Sequence, residues 1–153
     1  MPRDANIDER PVLTSSGRAW IQARYDRARQ RIARIDEDLA LDRSEGLLHE
    51  RWQLENDAEA LARILNDAVN PADVRDDPSI VEIGDEVEIE LPDGSRDVFL
   101  IVHPLEAGMD DVRTSCEAPL ACAVLGQRLG DACEVRTPAG SYTCTIVRRE
   151  RLD

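Results

Sequence analysis

The sequence predicts an α+β protein, in which an antiparallel helical hairpin precedes a small antiparallel sheet with one short helix. Three observations carry this prediction. Apolar residues recur every three or four positions in the first half, Asn70-Pro71 ends that pattern, and apolar residues alternate from residue 80 onward. At 153 residues and 42% hydrophobic content, the chain is long enough for one or two small domains.

The first predicted helix follows hydroxyl side chains at residues 14–16, which can cap a helix N-terminus. Its apolar residues have the spacing of a coiled-coil seam: Ile21, Tyr25, Ala28, Ile32, Ile35 and Leu39. The next seam position is Asp42, so the apolar stripe stops there. A second seam follows, and only one arginine interrupts it: Leu47, Arg51, Leu54, Ala58, Leu61, Leu65 and Ala68. Because about five residues join the two helices, they must run antiparallel, which predicts a coiled coil over residues 14–70 about 35 to 40 Å long.

The rest of the chain divides around this hairpin. Residues 1–13 are polar and are expected to form a flexible tail, and residues 71–79 are expected to form a linker. Residues 80–153 form the predicted globular domain. Within it we expect strands over 86–91, 97–103, 112–116, 133–137 and 142–149, with a short helix over 119–125.

Charge changes sign along the predicted hairpin. Residues 17–34 contain six arginines and one acid, whereas residues 35–60 contain nine acids and two arginines. Basic residues on one helix attract phosphates or an acidic protein wall, and we expect that role for Arg24, Arg27, Arg31 and Arg34. The alternative is that the arginines pair with acids of the second helix, such as Glu50, Glu55 and Glu59.

Composition excludes several classes of protein. The net charge of −13 argues against nonspecific binding of nucleic acid, and no motif indicates sequence-specific DNA binding. No apolar run approaches the roughly 20 residues that span a membrane, so a cytoplasmic protein is expected. The cysteines have no metal-ligand spacing and are expected to be buried or half-buried thiols: Cys116, Cys122, Cys133 and Cys144.

Five fragments together resemble the Gre family of bacterial transcript-cleavage factors. Residues 118–126, 129–131 and 137–140 are similar in order and spacing to the family's S-P-[hydrophobic]-A-x-A-L-x-G, V-G-D and T-P-x-G pattern. Leu13-Thr14-x-x-Gly17 resembles the family's helix start. Asp42-Arg43-Ser44-Glu45 matches the family's D-x-x-E motif at the turn of its coiled coil.

The resemblance implies a coiled coil followed by a globular domain like FK506-binding prolyl isomerases. It implies docking of the globular domain on RNA polymerase, through residues that match the family motif: Pro119, Leu120, Gly126, Gly130 and Asp131. The coiled coil would enter the secondary channel. There Asp42 and Glu45 would help hold a Mg²⁺ ion of the polymerase, which then cleaves backtracked RNA near its 3′ end. The resemblance implies a monomeric accessory factor with no cofactor of its own, not an enzyme.

Two departures keep other functions open. The family follows D-x-x-E with N-A-x-Y, whereas here residues 46–49 read Gly-Leu-Leu-His, and both predicted arms are about one heptad shorter than usual. Some Gre relatives with altered acidic turns occupy the channel and inhibit polymerase, so an inhibitor is the first alternative. A regulator of nucleoside diphosphate kinase with a reduced hairpin is the second. A prolyl isomerase is disfavoured, because Phe99 and Tyr142 are the only aromatic residues after residue 80 and its pocket needs an aromatic wall.

Overall fold

The computed structural model describes residues 10–74, 77 and 79–151. The described residues form two compact units, one of residues 10 and 18–68, the other of residues 11–17 and 69–151. None of the described helices is both long and apolar enough to cross a membrane.

The first unit is the predicted helical hairpin. Helix α1 spans Ser15–Leu41, beginning within the second unit, and helix α2 spans Glu45–Asp67. The ion pairs between the helices show that they are antiparallel. Arg29 pairs with Glu55, whereas Asp36, later in α1, pairs with Arg51, which is earlier in α2. This confirms the predicted chain direction and the length of both arms.

The predicted seam is also confirmed. Every buried residue between positions 18 and 68 is a predicted seam position: Ile21, Ala28, Ile32, Ile35, Ala58 and Leu61. Arg51, which interrupts the second seam, is half-buried and directs its guanidinium to Asp36 at 2.6 Å. A long arginine can therefore occupy a seam position by packing its stem while its charge reaches a partner.

The second unit contains a five-stranded sheet with one short helix. Strands β1 (Asp85–Glu90), β2 (Arg96–Val102), β3 (Arg113–Ser115), β4 (Ala132–Thr137) and β5 (Gly140–Arg151) lie in the order β3-β2-β1-β5-β4. Helix α3 spans Pro119–Val124 and packs on the sheet over a core that includes Val87, Ile89, Ile101 and Ile146. The α+β fold class is confirmed, with all five predicted strands present.

The sheet differs from the purely antiparallel prediction at one pair. Strand β3 runs parallel to β2, with Leu100 opposite Arg113 and Val102 opposite Ser115. The ten residues between the two strands include a 3₁₀ turn at Pro104–Glu106. They carry the chain back along β2, so that β3 begins beside the middle of β2 and runs in the same direction instead of forming a hairpin. Parallel neighbours need such a crossover, which the sequence pattern did not reveal.

The structure corrects the predicted tail where that tail is described. Residues 1–9 lie outside the described residues. Leu13, however, is only 1% exposed, its N–H donates to the carbonyl of Val69 at 3.0 Å, and Val69 N–H donates to Pro11 at 2.9 Å. Residues 11–13 are therefore a packed part of the second unit, because an apolar side chain here reaches the core.

The predicted linker is described only in part. It starts with a 3₁₀ turn at Pro71–Asp73, and Asp77 accepts hydrogen bonds from the backbone and hydroxyl of Ser79. Residues 75, 76 and 78 lie outside the described residues.

Candidate functional site

The acidic turn of the hairpin is formed by three residues outside either helix. Helix α1 ends at Leu41, and α2 begins at Glu45. The backbone N–H of Asp42 still donates to the Asp38 carbonyl at 3.0 Å. Ser44 then caps α2 in an extended conformation, and its hydroxyl accepts from Leu47 N–H at 3.4 Å. The turn is thus held by helix-end hydrogen bonds on both sides.

Asp42 and Glu45 are both exposed at this turn. Within residues 10–74, 77 and 79–151, neither side chain makes a hydrogen bond or an ion pair. Residues three apart share a face only within a continuous helix, and this turn is not helical, because Asp42 lies beyond the end of α1. The two carboxylates are therefore available to an external ligand but are not aligned by a common helix.

A complete metal site is not present among the described residues, where no group of three or more His, Cys, Asp or Glu side chains could hold an ion. Two carboxylates supply only part of the six or more oxygen ligands around Mg²⁺ or Ca²⁺. Asp42 and Glu45 could therefore share an ion whose other ligands come from a partner.

The arm next to the turn is braced by ion pairs between the helices. Arg51 Nε lies 2.6 Å from Asp36, and its Nη2 lies 3.5 Å from Glu55. Glu55 also accepts from Arg29 at 3.1 Å. Each pair is partly exposed, so it fixes the geometry more than it stabilises the fold.

The four predicted basic residues have different environments. Arg31 donates twice to Glu50, at 2.8 and 3.1 Å, and this hydrogen bond lowers the pKa of the Glu50 carboxyl. The Arg24 guanidinium lies 5.2 Å from the centre of the Trp20 ring. Arg27 and Arg34 are exposed and make no hydrogen bond or ion pair with another described residue.

Pairing with acids of α2 therefore accounts for part of the arginine-rich face. Arg31 forms an ion pair with Glu50 and Arg29 forms one with Glu55, as the alternative interpretation expects. Glu59 instead pairs with Arg63 on its own helix. Arg24, Arg27 and Arg34 remain the members of the predicted set without a carboxylate partner among the described residues.

The predicted docking motif surrounds helix α3. Pro119 is its exposed first residue, where a missing N–H costs nothing. Leu120 follows and lines a cavity of about 380 Å³. The other residues of the cavity come from β1, the turn after it, β2 and β5: Ile89, Leu91, Pro92, Asp93, Asp97 and Tyr142.

The glycines of the motif shape the segment after α3. Gly126 and Gly130 have φ of 81° and 90°, which residues with a side chain rarely adopt. Gly130 N–H donates to Ile146 at 2.8 Å, and the Asp131 carboxylate accepts from Arg128 N–H at 2.9 Å. Residues 126–130 are exposed, and the backbone conformation of the two glycines sets the course of this segment.

The cavity is a poor prolyl isomerase site. Its lining includes one aromatic residue, Tyr142, and Phe99 is 4% exposed in the core instead. Burial raises the pKa of the Tyr142 hydroxyl, so the ring presents a neutral polar edge. An apolar floor with Asp93 and Asp97 in its lining fits an apolar side chain that has a basic neighbour.

Sequence reasoning missed a buried carboxylate in the second unit. Glu106 is 0% exposed, and it accepts hydrogen bonds from the N–H of Thr14, at 3.1 Å, and from its hydroxyl. Thr14 in turn caps the start of α1 by accepting from Gly17 N–H at 3.0 Å. Arg113 Nε lies 3.9 Å from the same carboxylate. No local pattern around Glu106 indicates burial, because its partner is 92 residues away.

Sequence reasoning also passed over an aromatic pair beside the turn. His49 and Trp52 stack on α2 with ring centres 6.2 Å apart and planes 21° apart. Trp52 is 62% exposed. The signal was present in the sequence, since both residues fall one or two positions off the seam.

Comparisons with known proteins match the second unit. The family model for the transcription elongation factor GreA/GreB C-terminal domain matches residues 76–151. Transcription elongation factor GreA of Geobacillus kaustophilus is 34% identical over 95 residues, which are 61% of this chain and 60% of that protein. GreA of Oceanobacillus iheyensis is 33% identical over 89 residues, which are 58% and 56% of the two chains. The chain thus aligns with less than two thirds of these relatives' length.

Solved structures of related factors align over most of the chain, but with low structural scores. GreA factor homolog 1 (Gfh1) of Thermus thermophilus is 26% identical, with a TM-score of 0.42 over 93% of this chain and 99% of that one. A GreA/GreB factor of Nitrosomonas europaea is 22% identical, with a TM-score of 0.41 over 91% and 98%. Together, the domain match and the curated relatives show that residues 76–151 of this chain are a C-terminal domain of the Gre family of transcription elongation factors.

Proposed function

We propose that this chain is an accessory factor of RNA polymerase, whose helical hairpin enters the secondary channel and aids cleavage of backtracked RNA. One observation carries the proposal. In a chain with a Gre-family C-terminal domain, Asp42 and Glu45 stand exposed on a capped turn between two long helices, with no partner among the described residues. Exposed carboxylates without internal partners are free to bind an external cation.

The chemistry explains why carboxylates are suited to this position. Mg²⁺ is a hard cation that prefers oxygen ligands, and when bound beside a phosphodiester it activates water and stabilises the charge that develops on the phosphate oxygens. Asp42 and Glu45 would complete the shell of an ion held mainly by the polymerase. The turn places both side chains in solvent, so binding the ion breaks no hydrogen bond within the described part of the chain.

Binding to polymerase is assigned to the second unit. Pro119 and Leu120 lie at the start of α3, next to the cavity that Tyr142 and Ile89 also line. The segment from Gly126 to Asp131, which follows α3 in the chain, carries the remaining motif residues. An apolar cavity with two aspartates in its lining favours a polymerase segment in which an apolar residue stands next to a lysine or arginine.

The basic face of α1 has a narrower role than the sequence indicated. Arg27 and Arg34 have no ion-pair partner among the described residues, so contact with phosphates of the nascent RNA 3′ end would break no ion pair there. Arg31 is committed to Glu50, and Arg24 lies over Trp20. We therefore assign RNA contact to Arg27 and Arg34 first.

A channel-occupying inhibitor is the second candidate, and one observation favours it. Asp42 lies off the helix, so the two acids lack the common helical face that would align them on one ion. Gly46 also follows Glu45 where the family places an asparagine. A regulator of nucleoside diphosphate kinase is less favoured, because the D-x-x-E turn is retained and the heptad seams of both helices are intact, with Ile32 and Ala58 buried.

Stalled elongation complexes with labelled RNA test the proposal. Wild-type protein is compared with the double variant Asp42→Ala/Glu45→Ala and with Asp57→Ala/Glu59→Ala, which removes the same charge farther along α2. We expect shortened transcripts with wild type and the control, and none with the turn variant, although all three bind polymerase equally. Slowed synthesis without shortened transcripts would select the inhibitor instead. Recovery of a nucleotide kinase in place of polymerase on affinity purification would reject both.

A further inference from the structure

Two large apolar side chains next to the acidic turn are left uncovered by the hairpin. Leu48 is 44% exposed and Trp52 is 62% exposed. They are four residues apart on α2, so they lie one above the other on the same face. The His49 ring stacks on Trp52, with centres 6.2 Å apart. We call Leu48, His49 and Trp52 the turn-side patch.

The fold of the hairpin does not require this patch. The seam of α2 is formed by Leu47, Arg51, Leu54 and Ala58, and Leu48 and Trp52 each stand one position beyond it. Burying a tryptophan removes a large apolar area from water, so an exposed one is costly to keep in solution. Tryptophan is also the residue most enriched at the energetic centres of protein interfaces.

Ion pairs that are already formed border the patch. Glu55, one turn beyond Trp52 on the same stripe, lies within 3.1 Å of Arg29 and 3.5 Å of Arg51. Asp36 lies 2.6 Å from Arg51. A partner that covers Trp52 therefore meets paired charges at this border, and it need not strip water from an isolated carboxylate.

The charge around the patch indicates the chemistry of the partner. Residues 35–55 contain seven acids and two arginines. Glu37, Asp42 and Glu45 have no side-chain partner among the described residues. This excess of negative charge repels the phosphates of single-stranded RNA, whose bases would otherwise stack on a tryptophan, and it attracts lysine and arginine.

We propose that the turn-side patch is a contact surface for a basic protein wall with an apolar recess, which receives Trp52 when the hairpin is bound. This inference rests on the proposed function, and under that function the wall belongs to RNA polymerase. Trp52 acts as an anchor for the arm. With Trp52 held in the recess, Asp42 and Glu45 would approach the metal from a fixed position, because the turn of the hairpin could no longer move freely.

Fluorescence tests the proposal directly, because the chain has only two tryptophans. A Trp20→Phe variant keeps an aromatic ring under Arg24 and leaves Trp52 as the sole indole of the chain. When Trp52 is replaced biosynthetically by 7-azatryptophan, it can be excited at wavelengths longer than the tryptophans of the polymerase absorb. We expect RNA polymerase core enzyme without nucleic acid to shift the Trp52 emission to shorter wavelength and to reduce its quenching by acrylamide. Single-stranded RNA alone should leave both unchanged.

Affinity measurements complete the test. Trp52→Ala should weaken binding to core enzyme about 10- to 100-fold, in the range of other anchor residues. Gln53→Ala, an exposed neighbour on α2, should bind as wild type. Far-ultraviolet circular dichroism should show the helix content of wild type in both variants, because neither position belongs to the seam.

Each other outcome overturns the proposal. If Trp52→Ala binds core enzyme as tightly as wild type, with Trp52 emission unshifted, the patch is not a contact surface, although the proposed function stands. If emission shifts with RNA but not with core enzyme, the patch binds nucleobases instead. If wild-type protein does not bind core enzyme at all, the proposed function fails together with this inference.

Discussion

Substituting Gly17 with alanine should destabilise the protein strongly, although alanine is the better helix former. Gly17 lies in the first turn of α1, against the buried side chain of Glu106. A Cβ atom built at Gly17 falls 1.9 Å from both Cδ and Oε1 of Glu106. Real Cβ atoms do not approach so closely, so the glutamate must move.

The cost follows from what Glu106 loses on moving. Its carboxylate accepts from the N–H of Thr14 at 3.1 Å and from the Thr14 hydroxyl, and it is 0% exposed, so water cannot replace these donors. Hydrogen bonds to a charged group contribute about 1.5 to 3 kcal/mol each. Replacing glycine by alanine within a helix offsets part of this loss, since it stabilises the helix by roughly 0.5 to 1 kcal/mol. A net loss of about 3 kcal/mol follows, which corresponds to roughly 6 to 12 °C in Tm for a chain of this size.

Thermal and urea unfolding of two alanine variants measure this effect. Gly46→Ala is the matched control, because it also lies in the first turn of a helix, but its Cβ would meet nothing closer than the Ser44 hydroxyl at 3.6 Å. We expect that control to be as stable as wild type or up to about 1 kcal/mol more stable. In a double-mutant cycle, Gly17→Ala should cost much less when Glu106 is already alanine. Equal stability of Gly17→Ala and Gly46→Ala would refute the reasoning.

Two further predictions concern titratable groups of the second unit. Cys122 is exposed, contrary to the expectation that all four thiols are buried or half-buried, and it should be alkylated by a maleimide in the folded protein. Burial raises the pKa of the Cys133 thiol to about 11, so Cys133 should react only after unfolding. Equal labelling of both cysteines, measured by mass spectrometry, would contradict this. Burial lowers the pKa of the His103 imidazole, whose Nδ1 accepts from Leu105 N–H at 3.1 Å. Its contribution to stability is therefore complete above its ordinary pKa of about 6.5 and is lost as pH falls toward the lower folded value. Between pH 7.5 and 5.5, wild type should lose more Tm than His103→Asn, which keeps an acceptor that does not titrate; parallel losses would show that His103 is not responsible.

Local sequence patterns predicted the helices and strands of this fold, but they could not predict contacts between residues far apart in the sequence. A heptad repeat states directly which side chains face the other helix, and Ile32 and Ala58 are buried as that repeat requires. The pairing of Arg31 with Glu50 follows once the helices are known to be antiparallel. Glu106 gives no such signal, because an isolated glutamate in a polar loop has the same local pattern whether it is buried or solvated.

The candidate site was predicted in identity but not in conformation. The D-x-x-E motif located Asp42 and Glu45, and both are exposed at the turn. The three-residue spacing could not show whether the turn is helical, since that depends on where Ser44 begins the second helix as its cap. Trp52 was visible as an off-seam residue, but only the exposed fraction of its side chain shows that the hairpin leaves it uncovered.

The most direct test of the central claim is the distance between the turn and the catalytic metal of polymerase. Fe²⁺ can replace the active-site Mg²⁺ and, with peroxide, generate hydroxyl radicals that cut any nearby polypeptide. With end-labelled factor bound to Fe²⁺-loaded core enzyme, we predict cuts concentrated at residues 42–45, which excess Mg²⁺ suppresses. Cuts confined to residues 80–151, or no cuts while the factor is bound, would contradict the account.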